Sequence, residues 1–135
     1  MIVDTSALLA LFNADEKAHD SVVAALDGTV EPLVVSPYVV AELAYLVATR
    51  FGVNAEFAVL RELAGGAWTL PPFPAEHLET AARVIERYSD QLIGVADASV
   101  VVLADLYGTR TVATLDRRHF GVVRPLRGGK FTIVP

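Results

Sequence analysis

Short apolar runs of strand length alternate with helix-length stretches along this chain. That alternation predicts an α/β fold with a mostly parallel sheet covered on both faces. A second observation agrees with it. Two acids, Asp4 and Asp116, each close a strand-like run (Met1-Ile2-Val3-Asp4 and Thr111-Val112-Ala113-Thr114-Leu115-Asp116), and in open parallel sheets ligands bind outside the carboxyl ends of the strands. The third is the placing of turn residues. Ser36-Pro37 is a cap followed by a first-turn proline, Gly52 and Gly108 stand where helices should stop, and Pro71, Pro72 and Pro74 interrupt the chain before another helical pattern.

Taken in order, strands are expected near residues 1–4, 33–36, 68–71, 111–114 and 131–134. Helices are expected near 6–13, 16–27, 37–51, 54–65, 75–88 and 94–107. Nothing resembling a linker, repeat or low-complexity tract divides the 135 residues, which suit one domain. Hydrophobic content of 53% and charged content of 20% describe a globular chain. With no cysteine, disulfides and thiolate metal sites are excluded, which fits a reducing, cytoplasmic setting. The first residues lack a basic segment and Asp4 interrupts their apolar run, which argues against a signal peptide. No window of about 18 uninterrupted apolar residues predicts a membrane span.

The net charge of −5 conceals an asymmetry. Residues 110–135 carry six basic side chains against Asp116 alone, a local charge of +5, while residues 1–109 carry five basic and fifteen acidic ones. A basic segment on an acidic protein can still present a phosphate-attracting face.

Four acids stand among apolar neighbours. Asp4 ends the first strand, and Glu42 lies within Val39-Val40-Ala41-Glu42-Leu43-Ala44-Tyr45-Leu46-Val47. Asp97 opens Asp97-Ala98-Ser99-Val100-Val101-Val102-Leu103-Ala104, and Asp116 ends the fourth strand. A buried carboxylate must be hydrogen-bonded, protonated, paired or bound to a metal. Each has an ordinary reading: Asp4 and Asp116 as helix caps, Asp97 as a first-turn acid, Glu42 as a surface acid. Their joint placement near one sheet edge points instead to a shared site. Thr5, Ser6 and Thr114 adjoin the acids and could orient a carboxylate or a water, or simply bond local backbone. His19, His77 and His119 show no metal-ligand spacing, and His119 reads as a surface residue.

An all-oxygen acidic cluster suits Mg²⁺ or Mn²⁺ better than Zn²⁺. The matching chemistry is phosphodiester hydrolysis, with an attacking water of lowered pKa and the leaving 3′ oxygen stabilised, giving 5′-phosphate and 3′-hydroxyl ends.

The segments Ile2-Val3-Asp4-Thr5-Ser6-Ala7, Ala41-Glu42-Leu43, Ala96-Asp97-Ala98 and Thr114-Leu115-Asp116 with Phe120, in this order and spacing, resemble the PIN-domain ribonucleases. Within them the chain looks like the VapC toxins of bacterial type II toxin–antitoxin pairs, mycobacterial members especially, and the match covers essentially the whole chain. The resemblance implies one PIN domain over residues 1–135, a three-layer α/β/α sandwich with a parallel sheet of about five strands. It implies a Mg²⁺- or Mn²⁺-dependent endoribonuclease that cuts structured RNA, transfer or ribosomal, and inhibits translation. Asp4, Glu42, Asp97 and Asp116 would form the acidic quartet, with Asp4 and Asp97 the firmest metal contacts and the other two acting through waters or a second ion. A homodimer and a cognate VapB-type antitoxin, whose C-terminal segment blocks the site, are implied as partners. Many relatives place another acid shortly after the fourth aspartate, whereas here Arg117, Arg118 and His119 intervene. Arg117 and Arg118 are the residues expected to contact RNA phosphates.

Other readings fit less well. A haloacid-dehalogenase-like phosphatase needs an acid two residues after the first aspartate, where Ser6 stands, and a receiver domain needs a well-placed lysine that neither Lys17 nor Lys130 supplies. A PIN scaffold that binds RNA or protein without cutting is the serious alternative.

Overall fold

A computed structural model describes all residues, 1–135. Its regular elements are β1 (Ile2–Val3), α1 (Thr5–Phe12), α2 (His19–Asp27), α3 (Pro37–Phe51), α4 (Val53–Ala64), α5 (Ala75–Arg87), a single 3₁₀ turn at Ser89–Gln91, α6 (Val95–Leu106), β2 (Thr111–Ala113), α7 (Arg117–Phe120) and β3 (Thr132–Val134). The three strands are parallel in the order β1-β2-β3, with Ile2 opposite Val112 and Val112 opposite Ile133.

The two other expected strands survive only as single parallel bridges, Ile2 to Val34 and Val34 to Thr69. They extend the same sheet to five chain segments, in the order Thr69, Val34, β1, β2, β3. Proline keeps them short. Pro32 and Pro37 bracket the Val34 segment, and Pro71 and Pro72 follow the Thr69 segment, so the ladder loses donors on both sides.

Both residues of β1 are fully buried, as are Val112 and Ala113 of β2. Because successive side chains on a strand point to opposite faces, both faces of the sheet must be covered. Helix α6 packs on β1 and β2, and α2 also meets β2. Every residue of α6 from Ala98 to Ala104 is buried, as a helix central to the core requires. The α3·α4 and α5·α6 pairs form the densest contacts between elements.

Local chemistry fixes how α3 begins. Ser36 caps it, its hydroxyl accepting from the Tyr38 N–H at 3.1 Å, and Pro37 occupies the first turn. The buried Ser99 hydroxyl of α6 lies 2.6 Å from both Ser36 Oγ and the Ala96 carbonyl, and its contact with Ser36 ties the starts of α3 and α6 together. Gly52, at φ +93, ends α3 and opens α4 without an intervening loop, a conformation that favours glycine. No helix is long and apolar enough to cross a membrane.

Candidate active site

The carboxyl edge of the sheet carries three of the four expected acids. Asp4 follows β1 directly, its N–H bonded to the Ala113 carbonyl of β2. Asp116 lies three residues beyond β2 and caps α7. Asp97 sits in the first turn of α6, the helix that packs on both strands.

Asp4 is 4% exposed. It occupies the capping position of α1, yet its side chain makes no cap bond. Instead its Oδ2 accepts from Ser6 Oγ at 2.8 Å and from Thr114 Oγ1 at 2.7 Å. The directions follow from what each hydroxyl already accepts. Ser6 Oγ takes the Leu115 N–H at 2.9 Å, and Thr114 Oγ1 takes the Asp116 N–H at 3.0 Å, so each single O–H is free to point at the carboxylate. The 3.0 Å approach of the two hydroxyls is then a contact with no proton left to share. Both bonds fall on Oδ2, and Oδ1 faces no protein donor. Thr5 stands apart: its Oγ1 is buried without a partner.

Asp97 accepts the Gly94 N–H on Oδ2 at 3.3 Å, half of a capping box. Its carboxyl is pushed up to about 6, first by burial and then by the negative charge of Asp4, with Asp116 adding to the rise. The Gly94 N–H and His119 oppose that shift. This coupling places Asp4, Asp97 and Asp116 in one electrostatic cluster.

Asp116 Oδ1 accepts the His119 N–H at 3.0 Å, so its capping role and its place in the cluster coexist. The His119 ring was not expected here. It is 21% exposed, with Nδ1 2.9 Å from Asp116 Oδ2 and 3.8 Å from Asp97 Oδ2. The surface reading of His119 is therefore corrected: it lines the cluster. The sequence signal lay in its position, third in a helix capped by an acid, where side chains reach back towards the cap.

Glu42 does not share this burial. It is exposed about a turn and a half along α3, near the exposed Tyr45, and makes no hydrogen bond or ion pair with the aspartates. The apolar run around it hides a solvent-facing stripe, because Val39, Leu43 and Val47 take the buried positions. Arg117 donates to the Pro135 carbonyl at 2.6 Å, while Arg118 is exposed.

As the side chains stand, no three acidic or imidazole groups lie close enough to hold a metal ion. In donor chemistry the cluster nevertheless fits a hard divalent cation. All its carboxylates offer oxygen, and the raised proton affinity of Asp97 reflects first burial and then the negative charge of Asp4 and Asp116, which a cation would relieve.

A PIN-type chain is what this edge and this sheet describe, and the chain belongs to the PIN domain family, which it matches over residues 1–124. It is 62% identical to Ribonuclease VapC26 of Mycobacterium tuberculosis over 135 residues, the whole of both chains. Two solved structures share its fold. One is Mycobacterium tuberculosis VapC20, a sarcin–ricin loop cleaving toxin, with a TM-score of 0.79 at 20% identity over 87% of this chain and 90% of that one. The other is a chain of the VapBC2 complex of Rickettsia felis bound to promoter DNA, with a TM-score of 0.71 at 15% identity over 99% and 98%.

Proposed function

We propose that this chain is a divalent-metal-dependent endoribonuclease, Mg²⁺ or Mn²⁺ serving as cofactor, and the toxin of a type II toxin–antitoxin pair that cuts structured RNA. The observation that carries the reading is the gathering of Asp4, Asp97 and Asp116 at the carboxyl edge of a PIN sheet, in a chain so similar over its length to a VapC ribonuclease.

Asp4, Asp97 and Asp116 would hold the cation, with Glu42 reaching the set from the solvent side of α3. When bound, the cation supplies a lowered water pKa and positive charge beside the scissile phosphate. The chain's own groups do the rest. Ser6 and Thr114 hold Asp4 Oδ2 and leave Oδ1 without a protein donor. Asp97, with a carboxyl at about 6, keeps part of its proton near neutrality until positive charge replaces it. Arg118, and less freely Arg117, meet RNA phosphates beside Asp116.

The partner in this reading is a VapB-type antitoxin. An apolar groove of about 490 Å³ between α1, α3 and α4, lined by Leu9, Phe12, Val47, Phe51, Ala55 and Val59, offers a seat for an apolar antitoxin segment. The exposed Phe51, Val53 and Phe57 around it extend the surface. None of Asp4, Glu42, Asp97 and Asp116 lines that groove.

Purified protein with Mg²⁺ or Mn²⁺ should cut structured RNA to 5′-phosphate and 3′-hydroxyl ends, and EDTA should stop it. Asp4→Asn should abolish cutting with an unchanged circular-dichroism spectrum. RNA binding without metal-dependent cutting would transfer the assignment to the non-catalytic scaffold.

A further inference from the structure

The geometry points to His119 as a positioning residue, whose imidazole sets the orientation of the Asp116 carboxylate towards the cation site; this rests on the metal-dependent reading above. Asp116 caps a helix of only four residues, so little packing restrains its side chain. His119 engages both of its oxygens. The backbone N–H holds Oδ1 at 3.0 Å, and ring Nδ1 lies 2.9 Å from Oδ2.

The tautomer follows from what Nδ1 faces. Its nearest charged neighbours are Asp116 Oδ2 and, at 3.8 Å, Asp97 Oδ2. A bare nitrogen lone pair there would oppose oxygen lone pairs, so Nδ1 carries hydrogen whether the ring is neutral or charged. Nδ1 is also shut off from solvent, and its 2.9 Å approach is off the axis of an aligned hydrogen bond. Nδ1 therefore lies within ion-pairing distance of both carboxylates, nearer to Asp116, without an aligned hydrogen bond to either. Groups that orient a metal's ligands in this way commonly contribute tenfold or more to its affinity.

The side-chain contact can be separated from the cap, because the bond to Oδ1 comes from the backbone and survives substitution. Asparagine places an N–H near the Nδ1 position, glutamine places one nearer Nε2, and alanine places none. Mn²⁺ affinity would be measured by titration calorimetry on the full chain and its His119→Asn, His119→Gln and His119→Ala variants, with melting in EDTA as the check on folding. The expected result is an Asn variant close to the parent, with the Gln and Ala variants weaker by roughly tenfold or more. Equal affinity in all four proteins would overturn the role of His119 while leaving the metal reading in place, and so would an Asn variant as weak as the Ala variant. A parent chain that binds no Mn²⁺ would overturn both.

Discussion

Asp97 joins the site to the stability of the fold. Its folded carboxyl, at about 6, lies above the ordinary aspartate value of 3.8, so the native state holds this proton more tightly than the unfolded chain does. The stabilisation is complete below about pH 4 and is lost as pH rises through about 6. Above that, ionised Asp97 costs on the order of 3 kcal/mol in the metal-free protein. Asp97→Asn should therefore melt higher than the parent at pH 7.5 and close to it at pH 4, in EDTA. An Asn variant no more stable than the parent at pH 7.5 would refute this. Thr114 makes a second case. Thr114→Val keeps the shape but removes a donor to Asp4 and the acceptor of the Asp116 N–H. It should lose about 1–3 kcal/mol in urea unfolding, with Thr114→Ser retaining most of that. Asp4, Asp97 and Asp116 were legible as acids set in apolar runs. His119 was not, because two flanking arginines made its segment look uniformly solvated. The apolar run around Glu42 misled in the opposite sense, since the sequence shows neighbours without showing which of them face the core.

Helices were more legible than strands. The helix over 37–51 was expected to begin at Ser36-Pro37 and stop at Gly52, and it does, because the cap, proline and glycine act within a few residues. The strands near 33–36 and 68–71 were expected from their apolar content, yet pair at only one residue each. Ladder length depends on what the neighbouring segment can donate, and the prolines settle that. Ser36→Ala should lower stability by about 1 kcal/mol by removing the cap acceptor, while Ser99 keeps its bond to the Ala96 carbonyl; an unchanged melting temperature would refute the capping role of Ser36. In α3 and α4, charge placed in the apolar groove provides a second test. Phe51→Glu should abolish co-purification with the cognate antitoxin while leaving metal-dependent RNA cutting intact, since Phe51 is exposed and takes no part in the aspartates' hydrogen bonds. Loss of cutting together with antitoxin binding would refute that separation.

Across the whole molecule, the division of charge should appear in how RNA binding responds to salt. Six of the eleven basic side chains follow residue 109, while acids dominate before it, so on the proposed reading RNA should be drawn to the α7 side of the cluster. Arg118→Ala should weaken RNA binding evenly across sequences and reduce the salt dependence by roughly one phosphate contact. Arg117→Ala should do less, because that guanidinium already serves the Pro135 carbonyl. A filter-binding series from low to moderate salt measures both, and an unaltered slope for Arg118→Ala would remove it from the interface. The parallel order of the sheet was foreseeable from strand–helix alternation, but the meeting of Asp4, Asp97 and Asp116 was foreseeable only as a consequence of that order.

The hydroxyl that secures Asp4 lies 110 residues downstream of it, and the strand carrying Asp4 is flanked by a partner made equally late. A ribosome must therefore add a further 110 residues after Asp4 before the cluster can exist. On the proposed reading, a growing chain would lack its cutting edge until those late residues have emerged and folded.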